Sequence, residues 1–325
     1  MPILVADIGG TKTSLALVGS AGGRLRITAE QRYASRDFAS LEDIVLRYLS
    51  ETGAVCHLGG FAVAGPVQDE RSRITNLPWE IDARGLQRQT GLRSARLLND
   101  LEAVAWGIAA LAPGDLAVLH PGEAGAVGNA CVVAAGTGLG EAGLYWDGER
   151  HHPFATEGGH CDFAPSDERE VALLGFLQRR YGRVSWERVV SGMGIADLFA
   201  FVLEWRGGDP SAAALEVLAA ADVGAAVASG AASGICPACG EAMDLFVALY
   251  GREAGNMALK HMALGGVYLG GGIAPKNLEL LRRGAFLDAF FAKGRMEGLM
   301  RRMPVKVILN QQAPLLGAAR FMLAA

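Results

Sequence analysis

Two short stretches of this chain put a glycine-threonine turn after an apolar run, an arrangement that lets backbone N–H groups approach phosphate oxygens closely. The first, Asp7 to Thr13, reads DIGGTKT: the β-prone run Ile3 to Ala6 ends at Asp7, Gly9, Gly10 and Thr11 form the turn, and Leu15 to Val18 resumes the strand pattern. Asp7, at a strand end beside that turn, is positioned to face a metal ion. The second, AAGTGLGEAG, follows the run Cys131 to Ala135 with Gly136, Thr137 and Gly138. Its Gly138, Gly140 and Gly143 match the dinucleotide-binding spacing on their face. That fingerprint must open a helix, whereas Gly143 to Trp146 followed by Asp147-Gly148 reads as a strand and turn. A second phosphate-facing hairpin is the better reading, with a plain hairpin turn as the alternative for each. No Gly-Lys pair occurs in the chain, so there is no P-loop to do this work instead.

Three further clusters carry functional groups. Asn99-Asp100 follows the strand Ala95 to Leu98 and precedes apolar residues at helical spacing, Leu101, Val104, Ala105, Ile108 and Leu111. Both side chains then sit at a strand's carboxyl end, where α/β sheets bind ligands, unless Asp100 only caps the helix. Glu157-Gly158-Gly159-His160 has the i, i+3 spacing of half a helical metal site, but two adjacent glycines argue against a helix. On a tight loop the pair offers a carboxylate and an imidazole suited to sugar hydroxyls, and Cys161 and Asp162 complete no recognised zinc spacing. Gly270, Gly271 and Gly272 sit between an apolar run and Ile273-Ala-Pro275, where a flat ring could lie on bare backbone or one element could simply turn tightly on another. Cys236-Pro-Ala-Cys239 follows an Ala-rich helical segment rather than a strand, which favours a structural role over a redox one.

These groups need a scaffold of alternating elements. Ala54 to Ala64 and Ala95 to Leu98 read as strands, and Leu41 to Leu49 and Leu101 to Leu111 as helices, which predicts an α/β fold. From Ser166 onward the pattern is mostly helical, with a long amphipathic stretch from Glu241 to Leu264. A strand follows at Gly266 to Leu269, another at Val305 to Leu309, and a closing helix at Leu315 to Leu323 after Pro314. The two Gly-Thr hairpins hint at an internal duplication.

At 325 residues the chain exceeds the size at which one core stops growing, so two domains with a cleft are expected. With 51% hydrophobic and 20% charged residues it can bury sizeable cores. A net charge of −4 and the lack of a Lys/Arg cluster give no footprint for nucleic acid. The apolar stretch Ala212 to Ala238 carries Glu216 and Asp222 and reads as buried helices rather than a membrane span. Asp7 and the missing basic n-region speak against a signal peptide, and five cysteines, an odd number, fit a reducing compartment. The expectation is a cytoplasmic protein.

In order and spacing, DIGGT, LLND at Asn99-Asp100, GTGLG at Gly136 to Gly140, EGGH, SWERVVSG around Glu187 and LGGGI at Gly270 to Gly272 together resemble the bacterial glucokinase family across essentially the whole chain. The resemblance implies the two-domain actin-like ATPase (ribonuclease H-like) α/β fold. Residues 1–110 with 301–325 would form a small α/β domain and 111–300 a larger α+β domain, the last strand and helix returning to the small one. It implies ATP and Mg²⁺, glucose as substrate, and Asp100 as the base in phosphoryl transfer to the 6-hydroxyl. Asn99, Asp100, Glu157, His160 and Glu187 would contact the sugar. Gly9, Gly10, Thr11, Gly136, Thr137 and Gly138 would hold phosphates, Gly270, Gly271 and Gly272 would border the adenine, and Asp7 would face Mg²⁺. A homodimer is implied as well. A related family's Cys-x-Cys-Gly-x-x-Gly-Cys zinc module is absent, because CDFAPSDERE follows His160. Lys12 departs from the small polar residue common in glucokinases; it would touch phosphate or face solvent. Two rivals share these features: a kinase for another hexose or amino sugar, and a non-catalytic sugar-binding regulator. A DNA-binding regulator would need more than the six residues that precede Asp7.

Overall fold

The computed structural model describes residues 1–74, 77–207 and 210–324. The chain opens with strands β1 (Ile3–Ile8), β2 (Lys12–Ala21) and β3 (Arg24–Ala34), helix α1 (Leu41–Thr52) and β4 (Leu58–Val63). Short strands β5 (Val67–Gln68), β6 (Arg71–Arg73) and β7 (Glu80–Asp82) lead to α2 (Ala83–Thr90), β8 (Ser94–Asn99) and α3 (Asp100–Ile108). Then come β9 (Leu116–His120), β10 (Ala130–Ala135), β11 (Leu139–Trp146) and β12 (His151–Thr156). A helical stretch follows: α4 (Glu168–Tyr181), α5 (Gly192–Arg206), α6 (Ala212–Leu218), α7 (Val223–Ser233) and α8 (Pro237–His261). The chain closes with β13 (Gly266–Gly270), α9 (Ile273–Lys276), α10 (Leu278–Leu281), α11 (Ala285–Phe291), α12 (Glu297–Met300), β14 (Val305–Ile308) and α13 (Ala313–Leu323). It divides into two compact units, Met1–Leu116 with His152–Ala155 and Asn310–Ala325, and Ala117–His151 with Thr156–Leu309.

The first unit is built on a five-stranded sheet in the order β3-β2-β1-β4-β8. β1 is its middle strand, antiparallel to β2 and parallel to β4, so both its faces are covered and its sequence is almost wholly apolar. The alternation of side chains sorts them: Leu4, Ala6 and Ile8 pack with Ile44 and Tyr48 of α1, while Ile3 and Val5 pack with Ala103, Ala318 and Ala319 of α3 and α13. The edge strand β8 is covered where the Leu97 N–H donates to Glu70 Oε2 at 2.8 Å.

Helix α13 lies so close to α3 and the sheet that three glycines are required. A Cβ on Gly317 would overlap the carbonyl oxygen of Ala103 and stand 2.7 Å from the Gly107 nitrogen; one on Gly107 would stand 2.9 Å from the Ala313 carbonyl carbon; one on Gly60 of β4 would stand 2.6 Å from the Ala318 oxygen. Backbone meets backbone at each point, so no side chain can rotate away.

The second unit carries a six-stranded sheet, β12-β11-β10-β13-β14-β9, in which β10, β13 and β14 run parallel. Strand β14 therefore belongs to this sheet rather than returning to the small domain with the final helix. α8, 25 residues long, supplies much of the unit's core through Phe246, Tyr250, Ala254 and Met257, packed with α5 and α11. It starts four residues earlier than periodicity suggested because Pro237 can occupy the first helical position. Cys236 caps that helix and Cys239 lies in its first turn, both buried; burial, then Cys236 beside it, push the Cys239 thiol up to about 12. A thiol held protonated is a poor nucleophile. The Ala-rich helices α6 and α7 are covered only in part, with Leu215 and Leu218 exposed, so the expected burial of that stretch is incomplete. Among the described residues no single helix is long and apolar enough to cross a membrane.

Candidate active site

In the first unit the parallel strands deliver two of the clusters to one sheet end. Ile8, Val63 and Asn99 pair in one row across β1, β4 and β8, which sets the backbones of Ile8 and Asn99 about 10 Å apart at ~4.8 Å per strand, with the Gly9–Thr11 turn and Asp100 directly after them. The turn itself is pinned from behind. Gly9 N–H donates to the Lys12 carbonyl at 3.0 Å, Ser35 Oγ donates to the Gly9 carbonyl at 2.8 Å, and Ser35 N–H donates to the Thr11 carbonyl at 3.1 Å. Thr13 Oγ1 and Ser35 Oγ, 3.0 Å apart, complete the buried clamp. Among the described residues nothing accepts from the N–H of Gly10 or Thr11, which leaves two donors on the turn. Asp7 is desolvated, which raises its pKa, and the charges of Lys12 and Arg32 oppose that rise. A carboxyl in this condition would be stabilised as an anion by a further cation. Lys12 is exposed and acts on Asp7 through its charge.

Asn99, not Asp100, is the cap of α3. Its Oδ1 accepts from Leu101 N–H at 3.0 Å and Glu102 N–H at 3.3 Å, and its Nδ2 donates to the Gly65 carbonyl at 3.1 Å. Asn99 is buried, while Asp100 is partly exposed at the first position of the helix, its Oδ1 accepting from Leu101 N–H at 2.9 Å.

In the second unit, residues thirty positions apart meet. Glu157 leads into a single tight 3₁₀ turn at Gly158–His160 rather than an α-helix, so the pair does not form a helical metal site. A Cβ on Gly159 would stand 3.0 Å from the Leu139 carbonyl carbon, and one on Gly158 3.0 Å from the Glu141 Cδ, which explains both glycines. His160 Nε2 is 3.9 Å from Glu157 Oε2 and its Nδ1 is 4.0 Å from Glu187 Oε1. Those separations are too long for hydrogen bonds, so the three groups retain capacity for a ligand. Glu187 is fixed by its other oxygen, which accepts from Leu139 N–H at 3.0 Å, directly after the Gly136–Gly138 turn. Gly138 is needed there because a Cβ would stand 3.2 Å from Glu187 Cδ. Gly136 N–H closes the turn on the Gly138 carbonyl at 2.8 Å, and Gly192 N–H, opening α5, donates to the Gly136 carbonyl at 2.8 Å.

The third glycine cluster ends β13, beside the end of β10. Gly271 has φ +76° and a Cβ there would stand 2.7 Å from the Ala135 carbonyl carbon, so the Gly270–Gly272 turn lies against the strand that leads into Gly136. A cavity of about 320 Å³ lies beside α9, which follows the turn, and is lined by Ala228, Ala231, Met243, Asp244, Lys276 and Asn277. Gly271→Ala combines a left-handed backbone with a backbone clash, so it should cost about 2–4 kcal/mol. The check is a lower melting temperature together with a raised KM for ATP; a variant as stable as wild type would mean the strand ends separate freely.

Sequence reasoning located every one of these turns but missed their supports. Ser35 and Gly65 act through backbone contacts that have no local signature. Glu141 did have one, being a charge on the strand face shared with Leu139 and opposite Val133. Among the described residues no group of three or more His, Cys, Asp or Glu side chains could hold a metal ion.

Comparison with known proteins gives the family. The glucokinase family model matches residues 4–325. The chain is similar to the glucokinase of Synechocystis sp., 40% identical with 97% of this chain and 96% of that one covered. It is similar to the crystal structure of a glucokinase from an Antarctic psychrotroph, with TM-score 0.87, 30% identity and coverage of 100% and 99%. A ROK family glucokinase from Streptomyces griseus, solved with glucose and AMPPNP, shares the fold at TM-score 0.68 and 20% identity, each chain covered in full. The architecture is therefore the actin-like ATPase fold, and the chain belongs to the glucokinase family.

Proposed function

We propose that this enzyme transfers the γ-phosphoryl group of ATP to the 6-hydroxyl of glucose, with Asp100 as the general base. The observation that carries this is the single row Ile8, Val63, Asn99: it puts the residue before Asp100 two strand spacings, about 10 Å, from the residue before a turn with two N–H donors, so both clusters leave the same sheet end. Asp100 accepts the hydroxyl proton as the oxygen attacks phosphorus in line, and the P–O bond to ADP breaks. The turns Gly9–Thr11 and Gly136–Gly138 hold phosphate oxygens through backbone N–H groups.

Glu157, His160 and Glu187 bind ring hydroxyls, supported by their convergence within 4.0 Å, and Asn99 sets the position of Asp100 while keeping one amide hydrogen for the sugar. The adenine borders Gly270–Gly272, with the cavity beside the following helix α9 as the space for it. Asp7 holds Mg²⁺, which offsets phosphate charge when bound; the desolvated carboxyl fits that role. Family resemblance supports a cytoplasmic homodimer.

The test is MgATP-dependent turnover of glucose, mannose, fructose and N-acetylglucosamine. Glucose should be turned over fastest, and Glu157→Gln should raise the glucose KM by about 10–100-fold, since a buried sugar hydroxyl loses a charged acceptor. Faster turnover of an amino sugar would transfer the assignment to that substrate, and no turnover by folded protein would leave a sugar-binding regulator.

A further inference from the structure

Beneath the Glu157–His160 turn lies a buried acid pair that the phosphoryl transfer does not use. Glu141 of β11 is almost wholly inaccessible, and neither of its carboxylate oxygens has a hydrogen-bond partner among the described residues. Glu253 of α8 is fully buried; its Oε2 accepts from Asn256 Nδ2 at 2.8 Å, and its Oε1 has no partner. The two carboxyls lie close enough for each to shift the other's titration. Two desolvated carboxylates side by side cannot both ionise cheaply, whereas one shared proton gives the pair the hydrogen bond it lacks.

This pair is joined to the turn twice. The Glu141 carboxyl lies against the Cα of Gly158 so closely that a methyl there would meet its Cδ at 3.0 Å. The Thr156 hydroxyl donates to the Glu141 carbonyl at 3.0 Å and accepts from Gly158 N–H at 3.3 Å. Thus both the main chain and the side chain of residue 141 set the height of the segment that carries Glu157 and His160.

We propose that Glu141 is a positioning residue for the sugar-binding turn, and that the proton it shares with Glu253 holds Glu157 and His160 in their glucose-binding arrangement. The inference rests on the reading that this turn grips the sugar. When the pair is doubly ionised, repulsion moves the Glu141 carboxylate, and the Gly158 backbone packed against it is displaced.

Burial first, then the Glu253 charge, push Glu141 up to about 8, with Lys260 opposing. Burial likewise raises Glu253, opposed by Asn256, Lys260 and Lys293. Lys293 is itself held by the Arg252 carbonyl at 3.0 Å and Asn256 Oδ1 at 2.6 Å. The other titratable groups facing the pair are Cys131 of β10 and Tyr250 of α8, both pushed up by burial and neutral over the working range. A carboxyl raised in the folded state contributes stability that is present below its unfolded value near 4.5 and is lost as pH rises through about 8. The competent fraction falls with it, so the glucose KM should rise about tenfold between pH 7 and pH 9, with the ATP KM unaffected.

The experiment measures glucose KM, and glucose binding by intrinsic tryptophan fluorescence, from pH 6.5 to 9.5 for wild type, Glu141→Gln and the double variant Glu141→Gln/Glu253→Gln. The rise seen in wild type should shrink to within about twofold in both variants, whatever their value at pH 7. An equal rise in wild type and double variant, or a flat wild-type profile, overturns the proposal. His160→Ala runs alongside: unimpaired glucose binding there sinks the reading of the turn itself, independently of the acid pair. Should Glu141→Gln fail to fold, Glu253→Gln removes the same shared titration and is judged by the same profile.

Discussion

Asp100→Asn should lower kcat by about 10²–10⁴-fold, the range that a positioned base contributes, while glucose affinity changes by no more than about threefold. The separation is expected because the substitution leaves the local scaffold intact. An asparagine oxygen can still accept from Leu101 N–H, a bond of 2.9 Å, and Asn99 continues to cap α3. What disappears is proton affinity at the attacking hydroxyl. Rapid-quench or coupled-assay turnover at saturating MgATP, paired with equilibrium glucose binding, separates the two quantities. Loss of binding in step with loss of turnover would recast Asp100 as a sugar ligand, and a kcat within tenfold of wild type would remove it as the base.

The second large effect is expected far from any ligand. Gly317→Ala places a methyl into the carbonyl oxygen of Ala103 and 2.7 Å from the Gly107 nitrogen. Alanine in a helix interior gains about 1 kcal/mol over glycine by propensity, so a stabilising change would result if space allowed it. Here the obstacle is backbone on both sides, and overpacking of a core typically costs about 1–3 kcal/mol or more. Steric cost should win, lowering the melting temperature by roughly 2–5 °C for a chain of this size. Because α3 starts at Asp100, the same retreat of α13 should also reduce kcat. Gly175→Ala on α4, where a Cβ meets nothing within 4 Å, serves as the control and should stabilise by about 0.5–1 kcal/mol. A Gly317→Ala protein as stable as wild type would mean that α3 and α13 are not held at backbone contact.

The glycine turns were legible in sequence because turn chemistry is local: a positive φ or a backbone approach demands glycine, and the flanking apolar runs announce the strands. The same locality made EGGH readable as a tight loop instead of a helix. Where competing local rules applied, sequence could not choose. Asn99 and Asp100 are both good caps, and only the hydrogen bonds of Asn99 to Leu101, Glu102 and Gly65 assign the cap to Asn99. α3 ends at Ile108 rather than Leu111, and β4 begins at Leu58 rather than Ala54, the usual fraying of periodicity at element ends.

The sequence by itself determined the fold class and the order of the motifs, and nominated the residues proposed to carry chemistry, since each follows from side-chain type, spacing and the period of apolar residues. Tertiary structure decided which of those residues meet. Register across β1, β4 and β8 sets Asp100 in line with the Gly9–Thr11 turn, and the folding of residues 139–187 brings His160 to Glu157 and Glu187. It also assigned β14 to the second sheet and buried Glu141 against Glu253, separated by more than a hundred residues of chain. Such pairings depend on long-range burial and strand register, which no local period encodes.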